Sequence, residues 1–122
     1  MGHAIGRADE DGWSAATGPD SSDFMLYGPY ATDIPAGAHS ATWRLMVDNN
    51  SADTLRVVRL EVHDFARMSV LAQRWVTRDE FGAAWAYQDF PVAFTSAGGA
   101  SLEFRIWWTD ISYVRCDNVS VR

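Results

Sequence analysis

The sequence lacks the residues that covalent or redox chemistry needs. It has one cysteine among 122 residues, Cys116, which excludes an internal disulfide, cysteine-pair redox chemistry and a cysteine-rich metal site. The three histidines are far apart and show no zinc-binding spacing. No nucleophile-elbow motif is present either. We therefore expect Cys116 to serve as a small buried hydrophobic residue.

Lysine is also absent: all ten basic residues are arginines, scattered singly along a chain of net charge −6. Nucleic acids bind clustered positive charge, so we do not expect a nucleic-acid partner. No apolar run approaches the roughly 18 residues of a membrane span, and a membrane partner is not expected. The first residues lack the layout of a signal peptide. If the natural protein is exported, its signal has been removed, and residues 1–3 are then candidates for a cloning remnant.

Period-two alternation of apolar and polar residues dominates the chain and predicts an all-β protein. With 48% hydrophobic and 21% charged residues, residues 1–122 form one domain with a single core. We predict an antiparallel β-sandwich of jelly-roll type with about eight strands. The alternating segments are residues 5–13, 24–28, 41–48, 55–64, 70–76, 85–94, 102–108 and 112–121. Residues 77–84 have a short helical pattern.

The alternation assigns side chains to an inner and an outer face, because successive strand residues point to opposite sides. The predicted core consists of Leu45, Val47, Leu60, Val62, Phe90, Val92, Phe94, Leu102, Phe104 and Ile106. The predicted outer face carries a tryptophan among charged residues: Arg44, Met46, Arg59, Glu61, His63, Tyr87, Asp89, Glu103, Arg105 and Trp107.

This outer face suits a sugar, whose C–H face stacks on an aromatic ring while its hydroxyls bond to planar polar groups. We expect Trp107 to be the stacking platform, with Tyr87 on the same face. The predicted hydrogen-bonding groups are Arg59, Glu61, His63, Glu103 and Arg105. The alternation does not decide whether Arg74 or Trp75 faces inward, so either one is a candidate for the site. The alternative is a solvated face of ordinary cross-strand Arg–Glu pairs.

Glu61 and Glu103 are the candidate carboxylate pair of a glycosidase. The arginines predicted beside them favour the ionised form of both acids, whereas a general acid must hold its proton near neutral pH. We therefore expect no catalysis. Calcium is the better metal candidate, because the acidic residues 9–11 and those near the C-terminus belong to strands that neighbour each other in a jelly roll. The alternative for residues 9–11 is a plain acidic turn.

The sequence resembles the jelly-roll, galactose-binding-domain-like carbohydrate-binding modules of bacterial polysaccharide-degrading enzymes. The resemblance covers roughly residues 24–122 and rests on Gly-Pro-Tyr-Ala-Thr-Asp-Ile-Pro-Ala-Gly at 28–37, Trp-Arg-Leu-Met-Val-Asp at 43–48, Val-Arg-Leu-Glu-Val-His-Asp at 58–64, Leu-Glu-Phe-Arg-Ile-Trp-Trp at 102–108 and Cys-Asp-Asn-Val-Ser-Val at 116–121.

The resemblance implies a non-catalytic module that binds a plant or bacterial polysaccharide such as β-glucan or xylan. It implies a secreted parent chain with a catalytic domain that the module tethers to its substrate, a monomeric state, and Asp117 as the ligand of a structural calcium. The alternative is an extracellular protein-interaction domain that docks a partner on the same face. A small glycan-active enzyme that uses Glu61 and Glu103 is the third hypothesis.

Overall fold

Ten strands and one 3₁₀ helix follow one another along the chain. The computed structural model describes residues 1–122. The strands are β1 (Arg7–Asp9), β2 (Gly12–Ala15), β3 (Asp23–Leu26), β4 (Pro29–Ala31), β5 (Gly37–Val47), β6 (Arg56–Asp64), β7 (Ser69–Thr77), β8 (Gln88–Ser96), β9 (Leu102–Trp108) and β10 (Val114–Val121), and the 3₁₀ helix spans Arg78–Glu80. No helix has the length and apolarity to cross a membrane.

The strands form two antiparallel sheets that pack face to face. The first sheet has the order β1-β2-β10-β5-β8. The second has the order β3-β9-β6-β7, and β4 also pairs with β9. The predicted all-β sandwich is confirmed. Its two outer faces point to opposite sides of the molecule.

All ten residues of the predicted core are buried between the sheets. The core also contains Trp43 from β5 and Trp108 from β9, both without solvent exposure. Cys116 is buried as expected, and burial followed by the nearby Asp117 charge raises the pKa of its thiol to about 12. The thiol is therefore uncharged at neutral pH.

The strand count differs from the prediction where the backbone leaves the β region. Residues 5–13 are not one strand, because Glu10 has a φ of +52° and turns the chain between β1 and β2. Strand β4 was not predicted, and Gly28, with a φ of +90°, lies between it and β3. Trp85, with a φ of +58°, lies before β8 rather than inside it.

The N-terminal residues belong to the second sheet. The backbones of Gly2 and Tyr27 exchange two hydrogen bonds, of 2.8 and 3.0 Å, and the Ala4 N–H donates to the Phe24 carbonyl at 2.9 Å. A Cβ at Gly2 would lie 2.1 Å from the Tyr27 ring, so this position requires glycine. Residues 2–4 thus hydrogen-bond to the backbone of residues 24–27, and the treatment of residues 1–3 as a cloning remnant stays a prediction.

Arg78 fastens the loops at one end of the sandwich. Its guanidinium donates to the Asp53 carboxylate at 3.0 Å, to the carbonyls of Asn49 and Ile111 at 2.9 Å each, and to the Ser112 hydroxyl at 3.1 Å. The side chain is 8% exposed. The five donors of a planar guanidinium are needed to satisfy so many acceptors in one place.

Strands β7 and β8 are the edge strands on the same side of the sandwich, one in each sheet. Pro91 lies within β8 and has no N–H to offer a further strand. Arg74 of β7 crosses the corner between the sheets and donates to the Pro91 carbonyl at 3.1 Å. This side of the sandwich is therefore closed by a side chain rather than by backbone pairing.

Candidate functional site

Six of the predicted site residues lie together on the outer face of the second sheet. Strand register places Arg59 opposite Trp107, Glu61 opposite Arg105, and His63 opposite Glu103 on β6 and β9. Parity along these two strands was therefore predicted correctly. We call this surface the β6–β9 face.

Trp107 has neighbours on both sides of its indole ring. The Arg59 guanidinium lies over the ring at 5.7 Å from the centroid, and the Phe24 ring meets it edge-on at 5.0 Å. Trp75 of β7 lies on the far side of Arg59 at 5.3 Å. Cation–π attraction therefore holds a guanidinium between two indoles, which leaves Trp107 partly covered as a stacking platform.

Glu61 lies beneath the Arg59 and Trp107 side chains and is only 3% exposed. It accepts a hydrogen bond of 2.9 Å from Arg105 Nε, and Arg105 Nη2 lies 2.7 Å from the same oxygen. Arg59 Nε is 2.7 Å from the other oxygen, but its N–H is not directed at that oxygen, so the contact is an ion pair without a hydrogen bond. Two arginines thus compensate one buried carboxylate.

His63 and Glu103 form the next buried pair on this face. Nδ1 of His63 donates to the Glu103 carboxylate at 3.0 Å. Both side chains are less than a tenth exposed. Together with Glu61, they are the supporting layer of the face rather than its surface.

The structure decides between Arg74 and Trp75. Trp75 faces outward opposite Arg59, whereas Arg74 faces inward opposite Leu60 and reaches Pro91 at the sheet corner. The expectation that either residue belongs to the site therefore narrows to Trp75 for this face.

Tyr87, Arg44, Met46 and Asp89 lie on the opposite side of the sandwich, on the outer face of the first sheet. Sequence parity grouped them with the β6–β9 face. That grouping is wrong, because alternation separates inside from outside but does not tell one sheet from the other.

A polar groove of about 370 Å³ crosses this first-sheet face, and we call it the first-sheet groove. Its lining has no hydrophobic side chain apart from Pro91: Ser40, Thr42, Asp89, Pro91, Ser120 and Arg122. Thr42 pairs with Pro91 on one side and with Ser120 on the other, so the floor spans β8, β5 and β10.

Beyond the groove, two arginines flank Tyr87. The guanidiniums of Arg44 and Arg115 lie 5.2 and 5.4 Å from the Tyr87 ring centroid. The phenol accepts from Arg115 Nε and donates to Asp11, both at 2.8 Å. Burial, reinforced by the Asp11 hydrogen bond, raises the pKa of Tyr87 to about 12, so its hydroxyl keeps its proton at neutral pH.

Trp85 lies beyond the Tyr87 cluster. It was not predicted as a site residue from the sequence. It is 61% exposed, although large aromatic side chains are usually buried. Its backbone has a left-handed φ of +58°, and its N–H donates to the Val47 carbonyl at 2.8 Å. Its ring lies 5.5 Å from that of Tyr113. The sequence signal was a lone tryptophan among small residues, Gly-Ala-Ala-Trp-Ala at 82–86.

Carboxylates outnumber arginines around Tyr87. Arg44 lies within 4 Å of Asp89 and Asp117, and Arg115 lies within 4 Å of three acidic residues. Those three are Asp9, Glu10 and Asp11. Five carboxylates against two guanidiniums leave this end of the face with a formal charge of −3. Such a surface disfavours anionic ligands and tolerates neutral ones.

The surroundings of Asp117 do not fit a calcium ion. Arg44 Nε lies 3.2 Å from its carboxylate, and the Asn118 amide donates to that carboxylate at 3.0 Å. No group of three or more His, Cys, Asp or Glu residues is placed to hold a metal. A guanidinium thus supplies the positive charge that calcium was expected to supply, and calcium at Asp117 stays a prediction that this geometry does not favour.

Comparisons with known proteins bear on the fold. No protein-family model and no curated protein matches the chain. Among solved structures, it is similar to "Family 16 Carbohydrate Binding Module-2", with a TM-score of 0.53 and 16% identity over 91% of this chain and 75% of that one. It is also similar to "EclA C-terminal domain; sugar-binding protein", with a TM-score of 0.56 and 8% identity over 99% and 85%.

A third similar structure contains the CBM22-1 and GH10 modules of a Clostridium thermocellum endo-1,4-β-D-xylanase complexed with xylohexaose. The TM-score is 0.55 and the identity 13%, over 90% of this chain and 21% of that one. The fold is that of jelly-roll carbohydrate-binding modules. At these identities, the likeness establishes the jelly roll and leaves the ligand to be argued from the surface.

Proposed function

We propose that this domain is a non-catalytic carbohydrate-binding module that binds a neutral polysaccharide, of the β-glucan or xylan kind, along the first-sheet groove. The single observation that carries the proposal is the exposed Trp85, held in a left-handed backbone conformation beside Val47, five residues along β5 from the groove residue Thr42. An exposed tryptophan in a sparsely populated conformation costs stability and is typical of a ligand-binding position.

The chemistry of the groove supports a sugar ligand. Hydroxyls of Thr42 and Ser120 and the carboxylate of Asp89 offer donors and acceptors for sugar hydroxyls. Trp85 offers an aromatic surface for a C–H face. Val47, whose carbonyl accepts the Trp85 N–H, is five residues along β5 from Thr42, so the two ends lie roughly 17 Å apart. A sugar chain rather than a single sugar fits a surface of this length.

A binding role without catalysis is supported by the state of the carboxylates. Glu61 is ion-paired with two arginines, Glu103 is bonded to His63, and Asp89 lies 3.6 Å from Arg44. A glycosidase needs two carboxyl groups free to approach the glycosidic bond, and these carboxylates are engaged by neighbouring side chains instead. The Glu61–Glu103 enzyme hypothesis is therefore not favoured.

The proposal includes the setting predicted from the resemblance: a monomeric module in a secreted parent chain that also carries a catalytic domain. The similar xylanase structure has such a domain next to its binding module. The β6–β9 face is the alternative position for the neutral sugar, and its arginine-covered Trp107 makes it the weaker one.

A titration series separates the two faces. Soluble β-glucans, xylans and mannans are titrated into the protein by calorimetry, with Trp85→Ala and Trp107→Ala as matched variants. We expect Trp85→Ala to weaken binding about fivefold or more, as loss of a stacking contact worth roughly 1–3 kcal/mol would, while Trp107→Ala binds like the parent. The reverse order would place the neutral sugar on the β6–β9 face, and no binding to any of these polymers would refute the proposal.

A second candidate function is protein docking, which one observation favours. Large apolar side chains are exposed beside the β6–β7 turn: Tyr30, Phe65, Met68 and Val70. Met68 is 71% exposed, and the Tyr30 and Phe65 rings meet edge-on at 5.4 Å. Such a patch is typical of an interaction surface. A concentration-dependent dimer that Met68→Ser abolishes, together with no polysaccharide binding, would favour docking.

A further inference from the structure

The β6–β9 face has a surface layer whose chemistry differs from that of the groove. Six side chains form what we call the arginine–tryptophan row: Phe24, Arg56, Arg59, Trp75, Arg105 and Trp107. Each arginine lies over an aromatic ring, with guanidinium-to-centroid distances from 4.7 to 5.7 Å. Four strands carry the row, so it extends roughly 14 Å across the sheet.

Two guanidiniums of the row have N–H donors that are not hydrogen-bonded within the protein. Arg56 lies 4.7 Å from the Trp75 centroid and makes neither an ion pair nor a side-chain hydrogen bond within the protein. Arg59 Nε lies 2.7 Å from Glu61 without a hydrogen bond, and no nitrogen of Arg59 donates a hydrogen bond within the protein. The rings fix the positions of these donors in advance, which reduces the entropy that a ligand must overcome on binding.

The solvent-facing layer of the arginine–tryptophan row is positively charged because the carboxylates of this face are buried beneath it. The three arginines of the row face one buried glutamate, Glu61, which leaves a formal charge of +2. Glu103, on the same β6–β9 face, is also buried and is hydrogen-bonded to His63. The chain as a whole has a net charge of −6. The row is thus a small cationic surface on an acidic protein, opposite to the acidic end of the first-sheet groove.

We propose that the arginine–tryptophan row is a second binding site, for an acidic glycan whose sugar residues carry carboxylates. A guanidinium matches a carboxylate through two parallel N–H donors, and the sugar rings between carboxylates are neutral enough to lie on the indole edges. A nucleic acid is the poorer match, because its dense charge would meet an acidic protein and the indole faces that bases need are occupied by arginine. The site does not depend on the groove.

Affinity electrophoresis with sodium polygalacturonate in the gel tests this site, with fully methyl-esterified polygalacturonate as the neutral control. We expect retardation by the acid polymer, none by the ester, and weakening as salt is raised. Arg56→Gln and Arg59→Gln should together weaken binding at least about tenfold. Arg67→Gln, the matched control for Arg56→Gln alone, removes one positive charge from a residue paired with Asp64 and should leave binding unchanged.

Three results would overturn the proposal: equal retardation by the ester, equal binding by Arg67→Gln and the double variant, or binding of single-stranded oligodeoxythymidylate as tight as that of the glycan. Arg56→Gln alone keeps the test informative if Arg59→Gln unfolds, because Arg56 is exposed and has no partner in the protein. Trp85→Ala should bind polygalacturonate like the parent, so loss of neutral-sugar binding and loss of acidic-glycan binding are distinguishable.

Discussion

Trp43 and Trp108 are buried to the same degree in opposite sheets, but only one indole N–H has a partner. Trp108 Nε1 donates to the Ser112 carbonyl at 2.7 Å, whereas no acceptor lies within reach of Trp43 Nε1. Both rings are without solvent exposure. The two residues form a natural matched pair for measuring what one buried hydrogen bond contributes to this fold.

We expect Trp108→Phe to lower the free energy of unfolding by roughly 1–3 kcal/mol more than Trp43→Phe. Both substitutions remove similar apolar volume, but the first leaves the Ser112 carbonyl without its donor, and the second removes an N–H that was already unpaired. Urea denaturation of the two variants measures the difference. An equal or larger loss for Trp43→Phe would contradict the role assigned to this hydrogen bond.

Arg78→Lys should destabilise the protein by roughly 2–3 kcal/mol although the charge is kept. An ammonium cannot reach the Asp53 carboxylate, the Ser112 hydroxyl and two backbone carbonyls in the directions that the guanidinium serves. Arg122→Lys, at an exposed position, is the control and should change stability by less than about 0.5 kcal/mol. Thermal melting of both variants decides; similar midpoints would show that charge alone matters at position 78.

Asp20 should give the stability a measurable dependence on acid pH. Burial opposes its ionisation, but hydrogen bonds from the Ala16 N–H, the Arg7 guanidinium and the Gly6 N–H outweigh that effect and hold its pKa below the ordinary 3.8. A lowered folded pKa means that the stabilisation is complete above the unfolded value and disappears as pH falls through the folded one.

We therefore expect Asp20→Asn to be less stable than the parent at neutral pH, and the gap between them to narrow below pH 3.8. Urea midpoints across an acid pH series follow this gap. Asp48→Asn, at an exposed position without a bonded partner, is the control. A gap that stays constant with pH would mean that the asparagine disturbs packing rather than charge.

Metal removal should leave the thermal midpoint unchanged. Arg44 already neutralises Asp117, so neither added calcium nor a chelator is expected to act there. A calcium site filled at a hundred times its dissociation constant would add about 2.7 kcal/mol of stability. Differential scanning calorimetry with calcium and with EDTA checks this, and a midpoint that rises with calcium would restore the calcium site predicted from the sequence.

The period-two alternation of apolar and polar residues predicted the fold correctly where a strand is paired on both sides. Strand β9 was predicted with the bounds that it has, because every second residue from Leu102 to Trp108 packs into the core. Alternation could not separate the two outer faces, so Tyr87 was placed beside Trp107 although the whole sandwich lies between them. Nor could it orient Arg74, because an inward position on an edge strand is not enclosed on all sides.

Trp85 shows a different limit. Its position depends on a left-handed backbone angle and on one hydrogen bond to Val47, and hydrophobic patterning reports neither. Hydrophobic patterning assigns a tryptophan that lies next to a strand to that strand. The pairing of Arg59 with two indoles was likewise out of reach, because it requires the register of β7 against β6, which a bulge between Val62 and His63 shifts.

The proline in β8 and the arginine that reaches it have a consequence for the behaviour of the protein at high concentration. Open sheet edges invite strands from other molecules, and this is how many β-proteins aggregate. Here one edge strand lacks a donor at Pro91 and has that residue's carbonyl capped by Arg74. We expect Pro91→Val together with Arg74→Ser to leave the sandwich folded but prone to edge-to-edge association, so colloidal solubility depends on a proline of the groove lining and on the arginine that reaches its carbonyl.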